Sequence, residues 1–345
     1  MIGYRLFATS AALAASVCLA APAAADAVTD FYRGKQVSLI VPSGVGGGYD
    51  LYTRFLARFY GKFVPGQPTM VVRNMPGAGG ITAANHLFSI AAPDGLNLGI
   101  FQNTITLNQL ANTQAVKFDV RKFSWIGNMS IASTICALSG NARDAKPQDL
   151  FSREIIIGAT SGSPVIIPTI LNSIGGTKFK IVAGYQSTSN VQVAMEAGEV
   201  SGLCGWSWDG ARVNGRDMFA RGVAKPAIDI AIQPQPELQT MGVPFLMDLI
   251  PAGDNKEALK VILSTQVYNR PFAGPPGVPQ DRLAALRSAF KATLDDAEVK
   301  AEAEKMGLDI AYLAPEKIVE LIALALDAPK HIQAKAVEEL GKAGF

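Results

Sequence analysis

Two glycine-rich runs carry the spacing most suggestive of chemistry in this 345-residue sequence. The first, Ser43-Gly44-Val45-Gly46-Gly47-Gly48-Tyr49-Asp50, follows the apolar stretch Val37-Ser38-Leu39-Ile40-Val41-Pro42. It precedes Leu51, Tyr52, Phe55, Leu56, Phe59 and Tyr60, whose spacing predicts a helix from Asp50 to a stop at Gly61. Asp50 reads as its N-cap, because a carboxylate there accepts first-turn amides. The second run, Pro76-Gly77-Ala78-Gly79-Gly80, lies between a predicted strand at 69–73 and a predicted helix at 81–90. Glycines between strand and helix let the backbone adopt positive φ and approach a ligand unobstructed. The amides then point from the positive end of a helix dipole, which suits an anion. The alternative is a pair of tight turns with no ligand.

The kind of anion is narrowed by what the runs lack. A phosphate-binding P-loop closes on Lys-Ser/Thr, and here Tyr49-Asp50 stand in that place. A dinucleotide fingerprint started at Gly44 ends on Tyr49, and one started at Gly46 ends on Leu51. A carboxylate needs only two or three amides, and both runs can supply them. Further candidates follow in a second unit. Thr160-Ser161-Gly162-Ser163 repeats the small-residue loop after a strand, and Tyr185 stands at a strand end. Trp206 and Trp208 share one face in extended geometry, as a pocket wall or as ordinary core. Gln102, after the strand predicted at 96–101, completes the candidate set.

Catalytic readings are weaker. Thr160-Ser161-Gly162 is no nucleophile elbow, because Ala159 stands where its first glycine belongs. His86 falls in a predicted helix and His331 near the C-terminus, and no base–nucleophile pair emerges. The chain is therefore expected not to be an enzyme, and no cofactor or metal site is expected.

The elements around these loops alternate strand and helix, which argues for parallel α/β sheets. After the first two units, strands are predicted at 155–158, 179–182 and 200–204, with helices from Pro164 to Leu171 and Asn190 to Ala197. Two strand–loop–helix units suggest two similar lobes. Residues Ala273 to Pro279 read as a turn-rich linker, followed by helices at 282–294, 297–306 and 315–326 and an exposed amphipathic tail.

Arg5, the apolar run Leu6 to Ala21 and Ala23-Ala24-Ala25 read as a secretion signal occupying residues 1–25, cleaved after Ala25 or Ala27. The run is short for a membrane span. Cys18 lacks the preceding apolar residue of a lipoprotein site. Removing Arg5 leaves 30 basic against 29 acidic residues, so a nucleic-acid partner is not expected. Cys136 and Cys204 remain. They are too far apart for a CxxC motif, and an oxidising periplasm would let them form one disulfide worth roughly 4 kcal/mol.

Taken in order, several segments resemble the Bug-type periplasmic receptors of tripartite tricarboxylate transporters. They are Val41-Pro42 with Gly46 to Asp50, Asn74 to Gly80, Ala92-Pro93-Asp94-Gly95, Gly184-Tyr185, Gly198-Glu199-Val200 and Pro275 to Pro279. The resemblance implies an α/β fold of two Rossmann-like lobes with a ligand cleft between them, of the periplasmic binding protein type II kind. It implies a first lobe from 28–129 and 266–345, the latter with the C-terminal helices, and a second from 130–265, joined by two crossover strands. By position, Gly46, Gly47, Gly48, Tyr49, Asp50, Gly77, Ala78, Gly79 and Gly80 would hold a carboxylate from the first lobe. Thr160, Ser161, Gly162, Ser163 and Tyr185 would close from the second. The implied partners are a small organic acid and the permease subunits of a membrane transporter, with the receptor itself a monomer. Signalling to a membrane sensor kinase is the alternative output, and a periplasmic enzyme a further one. Three departures stand out against the family: Tyr49 in place of a small hydroxyl residue, Gln186-Ser187-Thr188, and Cys204-Gly205-Trp206-Ser207-Trp208.

Overall fold

The computed structural model describes residues 21–111, 114–131, 133–160 and 163–344. The expected secretion signal therefore lies mostly outside the described residues, Cys18 included. Its last residues belong to a helix, Ala21–Tyr32, whose Val28 and Tyr32 are buried in the core that follows.

Among the described residues, ten strands form two sheets. Those of the first are β1 (Gln36–Val41), β2 (Thr69–Asn74), β3 (Asn97–Ile100), β4 (Ser124–Asn128) and β10 (Pro271–Gly274), in the order β2-β1-β3-β10-β4. Those of the second are β5 (Thr134–Ser139), β6 (Ile155–Ala159), β7 (Phe179–Ala183), β8 (Gly202–Ser207) and β9 (Ala224–Ile230), in the order β7-β6-β8-β5-β9. The two orders are one pattern used twice. In each, three parallel strands are followed by an antiparallel one, β10 in the first and β5 in the second. The sheets are thus mixed, not wholly parallel as the strand–helix alternation suggests. The antiparallel strand in each sheet follows a segment arriving from the other sheet. Residues 129–133 lead from β4 into β5, and residues 265–270 lead into β10. Ala273-Gly274, expected to open a turn-rich linker, instead end a buried strand, Pro271–Gly274, paired on both sides.

Apolar alternation explains why both faces of each sheet are covered. In β1, Val37, Leu39 and Val41 face one core while Ile40 faces another. In β5, Cys136 and Leu138 face one core and Ile135 and Ala137 the other. Such double burial is what parallel-type sheets with helices on both faces require. The C-terminal stretch corrects an expectation: it is no exposed tail. Helix Lys330–Lys342 buries Ile332, Ala336 and Leu340 against the helix Asp254–Ser264 and the second sheet's core. It caps the second unit, whereas helix Gln280–Asp295 belongs to the first. Gly61 does not stop its helix either, which runs Gly48–Phe63.

Cys136 and Cys204 are direct partners in the β5–β8 ladder and are joined by a disulfide. The register between them and the pair Ile135↔Trp206 slips by one residue, which leaves Gly205 as a bulge. Its φ is +73°, and a Cβ there would lie 2.3 Å from the Ser163 carbonyl oxygen. Only glycine lets β8 pass this close to the start of the helix Ser163–Ile170.

Candidate functional site

A cavity of about 300 Å³ opens between the two sheets. Asn103 reaches it from the first unit. Thr160, Ser163 and Trp206 reach it from the second, and Gln266, Asn269 and Arg270 from the segment leading into β10. A crevice of about 350 Å³ lies on the flank, between the helix Trp208–Asn214 and residues 300–310. Only the first cavity lies where the small-residue loop after β6, the bulge in β8 and a crossing segment converge. That is the crevice beyond strand ends where open α/β sheets bind ligands.

Sequence reading missed the residue that dominates this cavity. The Arg270 guanidinium lies over the rings of Tyr49 and Tyr52, 4.4 and 4.9 Å from their centroids. Its Nη1 donates to the carbonyl oxygen and Oδ1 of Asn269, at 2.9 and 2.7 Å. Its Nε is buried with no hydrogen-bond partner, and Arg270 makes no ion pair among the described residues. A half-buried cation held by aromatic faces and neutral oxygens lacks only an anion to complete it. Tyr49 supports this arrangement from the first glycine loop. Its hydroxyl accepts from the Asn103 amide at 3.1 Å. Burial pushes this phenol's pKa up, against the pull of Arg270. Gly48 makes room for the cation, since a Cβ there would stand 3.2 Å from Arg270 Nη2.

The first loop is organised by its own carboxylate. Asp50 is the third residue of its helix and not the N-cap, which is Gly47. Buried, it accepts from the Gly46 amide (2.8 Å), Arg54 Nε (2.9 Å) and Asn74 Nδ2 (2.8 Å). The Arg54 hydrogen bond, with those of Gly46 and Asn74, holds its pKa down at about 2 against the cost of burial. Asp50 and the Gly46 amide are therefore committed to each other. The loop's open polar atom is Ser43 Oγ, buried without a partner beside Gly47.

The second loop, Gly77 to Gly80, is a short left-handed stretch with positive φ at all four residues. Gly80 packs on Gln102, and neither lines the cavity itself. Of the second-unit candidates, Thr160, Ser163 and Trp206 line the cavity, and Ser161 and Gly162 lie outside the described residues. Thr188, which opens the helix Thr188–Ala197, joins them. Tyr185 and Trp208 do not line it. Tyr185 packs beside Gly158. Trp208 is buried, and its indole Nε1 donates to Glu237 Oε2 at 2.8 Å. Both tryptophans contact Phe219, with centroids 5.7 and 6.3 Å away, so they are chiefly core. Among the described residues no group of three His, Cys, Asp or Glu could hold a metal, and no helix is long and apolar enough to cross a membrane.

No protein-family model matches this sequence, and no curated protein matches it. Solved structures do match in fold. A TctC solute-binding protein from Polaromonas, solved without ligand, superposes with a TM-score of 0.67 at 16% identity, covering 90% of this chain and 99% of that one. MatC from Rhodopseudomonas palustris with bound malate gives 0.52 at 18%, covering 89% and 99%. Another R. palustris protein, with adipate, gives 0.56 at 16%, covering 90% and 97%. The chain has the two-lobed α/β fold of TctC-type solute-binding proteins.

Proposed function

We propose that this protein is a periplasmic solute-binding receptor of the Bug type that captures a small organic carboxylate between its lobes. One observation carries this reading: an unpaired, half-buried guanidinium, Arg270, faces a cavity between two sheets of matching topology. A carboxylate in that cavity would complete its hydrogen bonding and charge, where water would satisfy only the former. Residues 28–129 with β10 and the helices from Gln280 to Leu326 make the first lobe, and 130–265 with the last helix make the second. Ser43, Gly47, Gly48 and Tyr49 would approach the ligand from one side, and Thr160, Ser163 and Trp206 from the other. The relatives in fold solved with malate and adipate are compatible with an acid of this size. Delivery to a tripartite tricarboxylate-type permease is the output this fold favours, and the protein is not an enzyme in this reading.

The test is a melting-temperature screen of the mature, ligand-stripped protein against aliphatic and aromatic carboxylates. A ligand that binds only the folded state raises the midpoint with concentration, by about 2.7 kcal/mol of added stability at a hundred times Kd. If no carboxylate moves the midpoint, the reading fails. Uptake of the bound acid by cells with and without the receptor then tests delivery.

A further inference from the structure

The same cavity carries a second charge. Among its described lining residues only two are charged, Arg270 and Asp209. Asp209 is the second residue of the helix Trp208–Asn214, just beyond the β8 bulge. Its Oδ1 is buried and has no hydrogen-bond partner. The guanidinium one helical turn away does not serve it. Arg212 instead reaches Glu237 and Asp309, each at 3.6 Å. Two carboxylates thus share one arginine, and Asp209 beside them makes no ion pair among the described residues. Glu237 has further support from the Trp208 indole. Asp309 has its pKa raised chiefly by burial; Arg212 opposes this, and Asp209 and Glu237 add smaller upward pushes.

A dicarboxylate in this cavity would satisfy Arg270 and then bring its other anionic end into the field of Asp209. Like charges brought together with little water between them cost binding energy, and an opposite charge recovers it. The cavity, at about 300 Å³, holds only a small ligand, so the far end of that ligand has few places to avoid Asp209.

We propose that the ligand of this cleft is a zwitterion, a carboxylate that also bears a protonated amine, with Arg270 opposite the carboxylate and Asp209 opposite the ammonium. This rests on the carboxylate-receptor reading above and narrows its ligand class. Asp209 then acts as the specificity-determining residue: it accepts from the ammonium and repels a second carboxylate.

The experiment compares acids matched in chain length that differ only in the distal group, by titration calorimetry on the mature protein. The pairs are succinate against β-alanine and adipate against δ-aminovalerate, with a panel of α-amino acids and the monocarboxylate butyrate alongside. Amino acids are expected to bind at least about 10-fold tighter than their matched dicarboxylates, the range of a charge-assisted contact. Asp209→Asn is expected to erase that preference, weakening the amino acids about 10-fold or more and leaving the dicarboxylates equal or tighter. Asp209→Ser serves as a second variant, and far-UV spectra confirm that each is folded. Dicarboxylates binding as tightly as amino acids would overturn the proposal, as would a preference that survives both variants. Binding of butyrate or dicarboxylates without any amino preference sinks the zwitterion and spares the receptor. If no acid binds, amino or otherwise, the receptor reading itself falls and this one with it.

Discussion

Arg270 stands between Asn269 and Pro271, in a stretch that belongs to no glycine run and no helical pattern. Nothing in its neighbours marks it, because its role comes from Tyr49 and Tyr52, more than 200 positions earlier in the chain. Tyr49 was legible as an oddity among glycines, but its position as a platform beneath a guanidinium was not. Trp206 and Trp208 show the converse. Aromatic side chains two apart read as a possible wall, yet both contact Phe219, and only Trp206 reaches the cavity. The Arg270→Gln variant is expected to weaken binding of whichever acid raises the melting midpoint most by about 10- to 100-fold, as loss of a charged hydrogen-bonding partner does. Its ligand-free midpoint should hold or rise, because an uncompensated half-buried charge is removed. Calorimetry and a ligand-free melt together check this, and unchanged affinity would exclude Arg270 as the counter-ion.

At the scale of elements, the loop Ser43 to Asp50 was readable as a cradle, while its internal economy was not. Asp50 looked like a cap and instead folds back on the Gly46 amide. Gly47 has φ −75° and ψ 167°, and a Cβ there meets only Ser43 Oγ and the Gly44 carbonyl oxygen at 3.6 and 3.7 Å. A β-branched residue tolerates that backbone well. Gly47→Val should therefore fold with a melting midpoint near that of the parent, and lose at least about 10-fold in affinity by blocking the helix start. Wild-type affinity would take the loop out of the site. Gly79, at φ +60°, offers no such clean test, because valine there is strained whatever it binds.

Strand β9 carries a pH dependence of its own. Asp229 is fully buried, with Oδ2 accepting from the Gln235 amide at 2.8 Å and Oδ1 unpartnered. Burial raises its pKa to about 6. A carboxyl whose folded pKa lies above its unfolded value of 3.8 stabilises the fold fully below that value. The contribution is lost as pH rises through about 6. Asp229→Asn should raise the midpoint above that pH by on the order of 2 kcal/mol in stability, and flatten the profile across the window. Melts from pH 4 to pH 8 read both, and a variant less stable than the parent at pH 8 would contradict the argument. Asp50 has the opposite sign: its lowered pKa contributes stability above about 4 that fades as pH falls towards about 2.

For the whole molecule, the two sheets repeat one strand order, and each receives an antiparallel strand from a segment crossing between lobes. The cavity exists only because those crossings place Gln266, Asn269 and Arg270 between the sheets. The Cys136–Cys204 disulfide ties β5, the first strand after one crossing, to β8, which carries the Gly205 bulge. With a separation of 68 residues, the bond removes chain entropy from the unfolded state worth up to about 4 kcal/mol. Reduction, or replacement of both cysteines by serine, should lower the midpoint by roughly 5–10 °C. Affinity should change little, since the ladder around the pair is already hydrogen-bonded. Scanning calorimetry with and without reductant is the check, and an unmoved midpoint would refute it.

The amino-acid sequence by itself determined what short-range physics controls. Short apolar runs specified strands at 37–41, 69–73 and 155–158, each within a residue of the strand observed, helical spacing specified the helices that follow them, and the glycine runs marked where backbone could come close to a ligand. Tertiary structure alone decided what depends on residues far apart in the chain meeting. It drew the start of the expected linker, Ala273-Gly274, into an interior strand and packed the last helix against the second sheet's core. It also set an arginine and an aspartate, neither in an ion pair among the described residues, on the walls of one cavity. A charge's partner, or its lack of one, is a property of three-dimensional neighbours, and no spacing along the chain records it.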